Sequence, residues 1–223
     1  MTARAAAPVP ANMATQPARL YLVRHGQTDL NRDRRFRGMS RAPLNASGRV
    51  EAACAAEILS RASIEAVHAS PMPRSLETAE VISGVAGSPV RPDERFTDID
   101  YGLWQGLTVE EVAERFGGEA IESWKRDPGS FTFPGGDSMA DVRDRVEPAL
   151  EGLAGEYAGG AVAAVTHMAV LKVCFLAAMG LSFEWFWRIG IDNGSVSLFT
   201  RTGDSGFVLE WWNRLPSDGE RSR

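Results

Sequence analysis

The run Ala161-Val162-Ala163-Ala164-Val165 has no polar residue at any position, and beyond Thr166-His167 the chain passes into a second apolar stretch, Val170 to Met179. A short extended segment with both faces apolar must be covered on both sides. The interior strand of a parallel sheet, with helices on each face, meets that condition. Such a strand needs neighbours of its own kind, and Leu20 to Val23 is a second short apolar run. Each run ends in a histidine: Arg24-His25-Gly26 follows the first and Thr166-His167 the second.

Between these runs the pattern alternates. Ser47 is a plausible N-cap for a helix to about Ser60, with Val50, Ala53, Cys54 and Ile58 near a 3.6-residue period. Residues Ile64 to Ala69 read as a short buried strand. Ser70-Pro71 then begins a helix, serine as cap and proline at its first position, which puts Arg74 one turn in. Gly84 to Pro92 is turn-rich. The mixture of acids, aromatics and glycines from Asp93 to Gly106 predicts an ordered loop packed by Tyr101 and Trp104, with one carboxylate, Asp98, turned inward. Thr108 caps a helix through Phe116, Trp124 to Asp137 reads as a flap, and an amphipathic helix runs from Ser138 to about Tyr157 with Pro148 as a kink. Residues 195–200 and 207–212 form a hairpin-like pair around Gly203 to Gly206. Strands alternating with helices make an α/β domain with a largely parallel sheet, whose ligands bind beyond the carboxyl ends of its strands.

The chain has 223 residues, 44% hydrophobic and 24% charged, which suits one domain over 19–215, with a disordered Ala/Pro-rich tail over 1–18 and a polar tail over 216–223. A net charge of -5 recommends neither nucleic acid nor an anionic membrane as partner, so any anion site has to be local. No run approaches the length of a membrane span, and the expected location is the cytoplasm. Cys54 and Cys174, far apart in apolar surroundings, read as buried reduced thiols rather than a disulfide or a metal site.

Three strand exits thus carry Arg24-His25, the turn leading to Arg74, and His167. Two guanidinium groups and two imidazoles around one point suit a dianion such as a phosphoryl group, whose oxygens accept charge-assisted hydrogen bonds. His25 attacking phosphorus, with Arg24, Arg74 and His167 holding the oxygens, needs no metal or other cofactor, and Asp98 can protonate the leaving oxygen and later activate water. The basic loop over 26–45 could rim this site, although a solvated charge run accounts for it equally well. A metal hydrolase built on His25, His167 and Asp98 is disfavoured because the two arginines would repel a dication.

Leu22-Val23-Arg24-His25-Gly26-Gln27-Thr28 resembles the signature of the histidine phosphatase superfamily, in its phosphoglycerate mutase-like branch. The likeness runs from about Leu20 to Val196 through Asn31, Pro43-Leu44 with Gly48, Ser70-Pro71 through Arg74 with Glu77-Thr78-Ala79, Tyr101-Gly102 with Trp104 and Gly106, Pro134-Gly135-Gly136 and Val165-Thr166-His167. The resemblance implies a three-layer α/β/α sandwich. It implies His25 as the phosphorylated nucleophile, Arg24, Arg74 and His167 as the phosphate pocket, Asp98 in the acid-base position, and Thr28 and Asn31 assisting beside the phosphate.

The departures from the family pattern are informative too. Asp98 stands where that branch usually has the longer Glu, so either the loop moves inward or a water relays the proton, with Asp100 as second candidate. Arg37 and Arg41 stand where Gln and Asp are common and hint at a substrate with a second anionic group; exposed arginines without a role are the equal alternative. Met168 replaces a common glycine. The short insertion between Asp98 and His167, with Asp137 in its acidic place, resembles phosphatase members more than mutases. The leading expectation is a metal-independent phosphomonoesterase for a small phosphate ester. A phosphoglycerate mutase and a catalytically weak phosphate-binding regulatory protein are the alternatives, and a homodimer is left open.

Overall fold

The computed structural model describes residues 16–203 and 205–216. The expected tails over 1–18 and 216–223 fall mostly outside that range, as does Asp204 of the hairpin turn. The first strand already begins at Ala18.

In chain order the elements are β1 (Ala18–Arg24), α1 (Asp29–Arg32), α2 (Ala46–Leu59), β2 (Ala66–Ala69), α3 (Pro73–Ala86), β3 (Val90–Pro92), α4 (Val109–Phe116), α5 (Gly118–Arg126), α6 (Met139–Glu156), β4 (Ala161–Thr166), α7 (Met168–Ala178), β5 (Val196–Arg201) and β6 (Phe207–Arg214). They build one six-stranded sheet in the order β3-β2-β4-β1-β5-β6. The first four strands of that order are mutually parallel, and β5 and β6 add an antiparallel edge. The apolar run of residues 161–165 lies between β2 and β1, as its two apolar faces require.

Period-two alternation sorts the strand side chains into two cores. Leu20, Leu22, Val162 and Ala164 pack with α6 and α7, whereas Tyr21, Val23, Ala163 and Val165 pack with α2 and α3. The result is a three-layer α/β/α sandwich with a mostly parallel sheet. No helix among the described residues is long and apolar enough to cross a membrane.

Several boundaries differ from the sequence reading. Asn45, not Ser47, caps α2, because its extended backbone brings its side chain to accept from Gly48 N at 2.9 Å. Ile64 is buried but precedes β2, which begins at Ala66. The helix carrying Arg74 begins two residues later than Ser70-Pro71 predicts: Met72 is its cap residue, Pro73 takes the first position, and Arg74 is only the second residue of α3. Residues Gly84 to Ala86 continue α3, which stops at Gly87 in the left-handed region (φ 69°), and β3 follows. Trp124 is buried within α5 rather than in a flap. The apolar helix α7 begins at Met168, directly after His167. Cys174 is buried, but Cys54 is only half-buried, because its side of α2 faces a surface hollow beside Leu215.

Backbone packing needs glycine at two points. A Cβ on Gly26 would collide with the Gly48 backbone, and one on Gly48 with the Gln27 backbone. This close approach docks the start of α2 against the corner after β1.

Candidate active site

Because β1, β2 and β4 are parallel, their carboxyl ends share one edge of the sheet, and the site is built there. The end of β1 is gripped from both sides: His25 N donates to Thr166 O (3.0 Å), Gly194 N to Arg24 O (3.1 Å) and Asn193 Nδ2 to His25 O (3.1 Å). Gly26 N donates to Thr78 Oγ1, whose hydroxyl in turn donates to the Arg74 carbonyl. The Arg24-His25 corner and the start of α3 are thereby locked together.

Within this frame the four predicted residues converge. The rings of His25 and His167 have centroids 5.1 Å apart, and both side chains are buried. Arg24 Nη1 donates to Ile191 O at 2.7 Å. Arg74 Nη1 donates to Ser40 O, and its Nη2 to both Gly38 O (2.7 Å) and Asp98 Oδ2 (2.9 Å). Asp98 Oδ2 also lies 3.4 Å from His167 Nδ1. The inward carboxylate is therefore Asp98. Asp100 is turned to its own loop, where Oδ1 accepts from Gly102 N.

A backbone carbonyl assigns the tautomer of His25, and a serine hydroxyl orients the ring of His167. His25 Nδ1 faces the Gly26 carbonyl at 2.6 Å, and since a carbonyl can only accept, Nδ1 carries the proton and Nε2 the lone pair. Ser70 Oγ, which accepts from Met72 N, stands 2.7 Å from His167 Nε2, and the other ring nitrogen, Nδ1, is turned toward Asp98 at 3.4 Å. Among the described residues His25 Nε2 and His167 Nδ1 have no hydrogen-bond partner.

Burial and charge act together on these groups. Burial first, then the cations Arg74, Arg24 and Arg37, hold His25 well below its ordinary value. Burial and Arg74 do the same to His167. Asp98 is raised by burial, against the opposing pull of Arg74 and Arg37. Burial, followed by the charge of Arg37, lowers Arg24 to about 10, which leaves it cationic at neutral pH. The centre thus combines neutral imidazoles, fixed cations and a carboxyl biased toward its protonated form.

The remaining predicted residues divide. Asn31 and Arg37 line a cavity of about 320 Å³ that Arg24 also borders; Arg41 is exposed and is not among its lining residues. Thr28 is buried and forms a reciprocal capping box with Asn31 on α1. Met168 lines the same cavity, as expected of a bulky residue in a glycine's place.

Sequence reading missed four supporting residues. Ser70 looked like a helix cap and is instead the partner of His167; its place at a strand exit was the available signal. Arg145 on α6 donates to the carbonyls of Arg95 (2.7 Å) and Asp98 (3.2 Å), and Thr166 Oγ1 donates to Phe96 O (2.6 Å), so both hold the aromatic loop. Neither can be paired with that loop from sequence spacing. Asn193 likewise reaches His25 from a distant segment.

Fold and site together define an α/β protein with a cluster of buried arginines and histidines at the carboxyl ends of its parallel strands. The chain belongs to the histidine phosphatase superfamily (branch 1), whose family model matches residues 20–214. It is 32% identical over 180 residues to phosphoserine phosphatase 1 of Hydrogenobacter thermophilus, covering 81% of this chain and 85% of that protein. It is 35% identical over 183 residues to a bifunctional protein of Mycobacterium tuberculosis, covering 82% of this chain and 50% of that relative, so it spans half of the latter's length. A probable phosphoglycerate mutase of Salmonella choleraesuis is 31% identical over 182 residues, 80% of this chain and 82% of that one. Among solved structures, a mycobacterial glucosyl-3-phosphoglycerate phosphatase in complex with VO3 superimposes with a TM-score of 0.80 at 29% identity, over 87% of this chain and 98% of that one.

Proposed function

We propose that the chain is a phosphomonoesterase that acts on a small phosphorylated metabolite through a phosphohistidine, without a metal ion. The tautomer of His25 carries this reading: with Nδ1–H bonded to the Gly26 carbonyl, the neutral Nε2 lone pair is available for attack on phosphorus. As the P–N bond forms, the P–O bond to the alcohol breaks and the Asp98 carboxyl gives its proton to the leaving oxygen. Arg24, Arg74 and the His167 Nδ1–H donate to the phosphoryl oxygens as charge gathers on them. The Asp98 carboxylate then takes a proton from water, whose oxygen attacks phosphorus, and the P–N electron pair returns to His25. Similarity to a phosphoserine phosphatase, and to a glucosyl-3-phosphoglycerate phosphatase solved with VO3, supports a small phosphorylated metabolite as substrate.

The test is phosphate release from a panel of phosphorylated metabolites in the presence of EDTA, with acid-labile, alkali-stable phosphoenzyme trapped by rapid quench. Wild type is expected to turn over at least one compound and to trap label, and His25→Ala to do neither. Phosphate release by His25→Ala at the wild-type rate overturns the reading.

The similarity to a probable phosphoglycerate mutase keeps one second reading in view. Exchange between 2- and 3-phosphoglycerate faster than phosphate release would favour the mutase.

A further inference from the structure

The cavity of about 320 Å³ beside Arg24 has a charge pattern that the phosphoryl centre does not use. Four arginines line it or its rim: Arg24, Arg34, Arg35 and Arg37. Arg35 is neutralised by Glu111 at 2.6 Å. Among the described residues, neither Arg34 nor Arg37 takes part in an ion pair with a carboxylate. Arg37 is half-buried, its Nη1 donates only to the Arg35 carbonyl, and its buried Nε has no partner among the described residues. Asn31 uses Oδ1 to accept from Thr28 N and Oγ1, which leaves the Nδ2 end as a donor on the same cavity.

The backbone singles out Arg34. It follows the end of α1 with φ 54°, and Arg35 N reaches back to Leu30 O at 2.9 Å, the bond pattern of a helix stop that glycine ordinarily occupies. A side chain there costs about 1 kcal/mol relative to glycine, so an arginine with no ion pair to reward it points to a role in binding. Arg74 is paired with Asp98 at 2.9 Å, Arg24 is acted on by Asp98, Asp192 and Glu51, and Arg34, exposed at the rim, lies near Glu110, so Arg37 is the half-buried cation of this cavity without an ion pair among the described residues. Tyr101 and Trp124 give the cavity apolar walls, and its volume fits a small carbon skeleton.

We propose that this cavity is a second-anion subsite: the substrate is a small phosphomonoester with a further carboxylate or phosphate a few bonds from the ester, bound by Arg37 and Arg34 with Asn31. The assignment rests on the phosphomonoesterase reading and deepens it, with Arg34 rather than Arg41 as the partner of Arg37.

Two matched pairs test it. 3-Phosphoglycerate and glycerol 3-phosphate differ by a carboxylate in place of a hydroxymethyl group, and glucose 1,6-bisphosphate and glucose 6-phosphate differ by a second phosphate. Wild type is expected to prefer the member with the second anionic group in at least one pair by tenfold or more in kcat/KM, and the pair that shows the preference identifies the second anion as carboxylate or phosphate. Arg37→Gln should cut that preference at least tenfold and Arg34→Gly severalfold, the latter with a raised Tm because glycine suits φ 54°. A wild-type enzyme without preference in either pair, or variants that slow both members equally, overturns the subsite. Should no compound be hydrolysed, the activity reading fails by itself. Calorimetric affinities of the same four compounds for His25→Ala, with and without Arg37→Gln, then decide the subsite: a preference for the second anion that Arg37→Gln removes supports it, and its absence overturns it.

Discussion

The Ser70 hydroxyl lies 2.7 Å from Nε2 of His167, and both side chains are buried, so this contact holds the ring with Nδ1 turned toward Asp98. Ser70→Ala removes that hydroxyl and leaves only Ser75 Oγ, at 3.5 Å, near the ring nitrogen. The loss of a buried hydrogen bond is expected to cost about 1–2 kcal/mol in denaturant unfolding. The His167 ring then loses the contact that orients it, so kcat should fall more than KM rises, and Ser70→Thr should restore part of it. A Ser70→Ala enzyme with unchanged kcat would show that His167 is oriented by other contacts.

On the proposed mechanism, Asp98 is expected to govern the basic limb of the rate profile. Its carboxyl is raised by burial and must be protonated to supply the leaving oxygen, so activity on alkyl phosphates is expected to fall as pH rises through that raised value. His25 is held well below the usual imidazole range and stays neutral there, so it adds no loss near neutrality. With p-nitrophenyl phosphate, whose leaving group needs little protonation, the basic limb should flatten. Asp98→Asn should lower kcat on alkyl phosphates by roughly two to four orders of magnitude. A steep basic limb with both leaving groups would assign it to another group.

The two histidines should make the fold acid-sensitive. Their folded values lie below the ordinary 6.5, so below that pH the unfolded chain binds protons that the native state refuses. Stability is therefore expected to fall as pH drops from about 6.5 toward the lowered values, by at most about 1.4 kcal/mol per pH unit for each histidine. His167→Asn should make the decline shallower. Calorimetric Tm measured from pH 7 to pH 5 gives the slope, and parallel slopes for variant and wild type would contradict the assignment.

Lys172 on α7 is a buried cation without an ion pair among the described residues, its Nζ 4.8 Å from the Phe186 ring centroid and 5.3 Å from that of Trp187. Burial, and to a lesser degree Arg24, lowers it to about 8. Because the native state binds this proton less tightly than the unfolded chain does, the penalty is full at pH 7 and is relieved between about 8 and 10.5. Lys172→Met keeps the apolar stem and removes the charge, and is expected to stabilise the protein at pH 7 by about 2 kcal/mol. A lower Tm for the variant would mean that the cation–π contacts outweigh the burial penalty.

Much of this was open to a reader of the sequence. Unbroken apolar runs at residues 20–23 and 161–165 demand burial on both faces, and so announce interior parallel strands. Histidines at their ends follow from the order of the chain alone, and the carboxyl ends of parallel strands meet on one side. Arg24, His25, Arg74 and His167 were legible for that reason, and the inward carboxylate was read from the aromatic loop that carries it, as Asp98 with Asp100 as second candidate. Helix limits were less so: Ser70-Pro71 and Met72-Pro73 are equivalent as local signals, and a contact with His167, ninety-seven residues away, separates them.

The sequence by itself determined the alternation of strand and helix, and which strand exits carry the reactive side chains, because these depend on local periodicity and chain order. The tertiary structure alone decided the burial of the titrating groups, the grip of Arg145 and Thr166 on the Asp98 loop, and the presence of Arg34 rather than Arg41 in the cavity beside Arg37. Those outcomes depend on burial, on hydrogen bonds between segments remote in sequence, and on one left-handed backbone angle, none of which composition or spacing records.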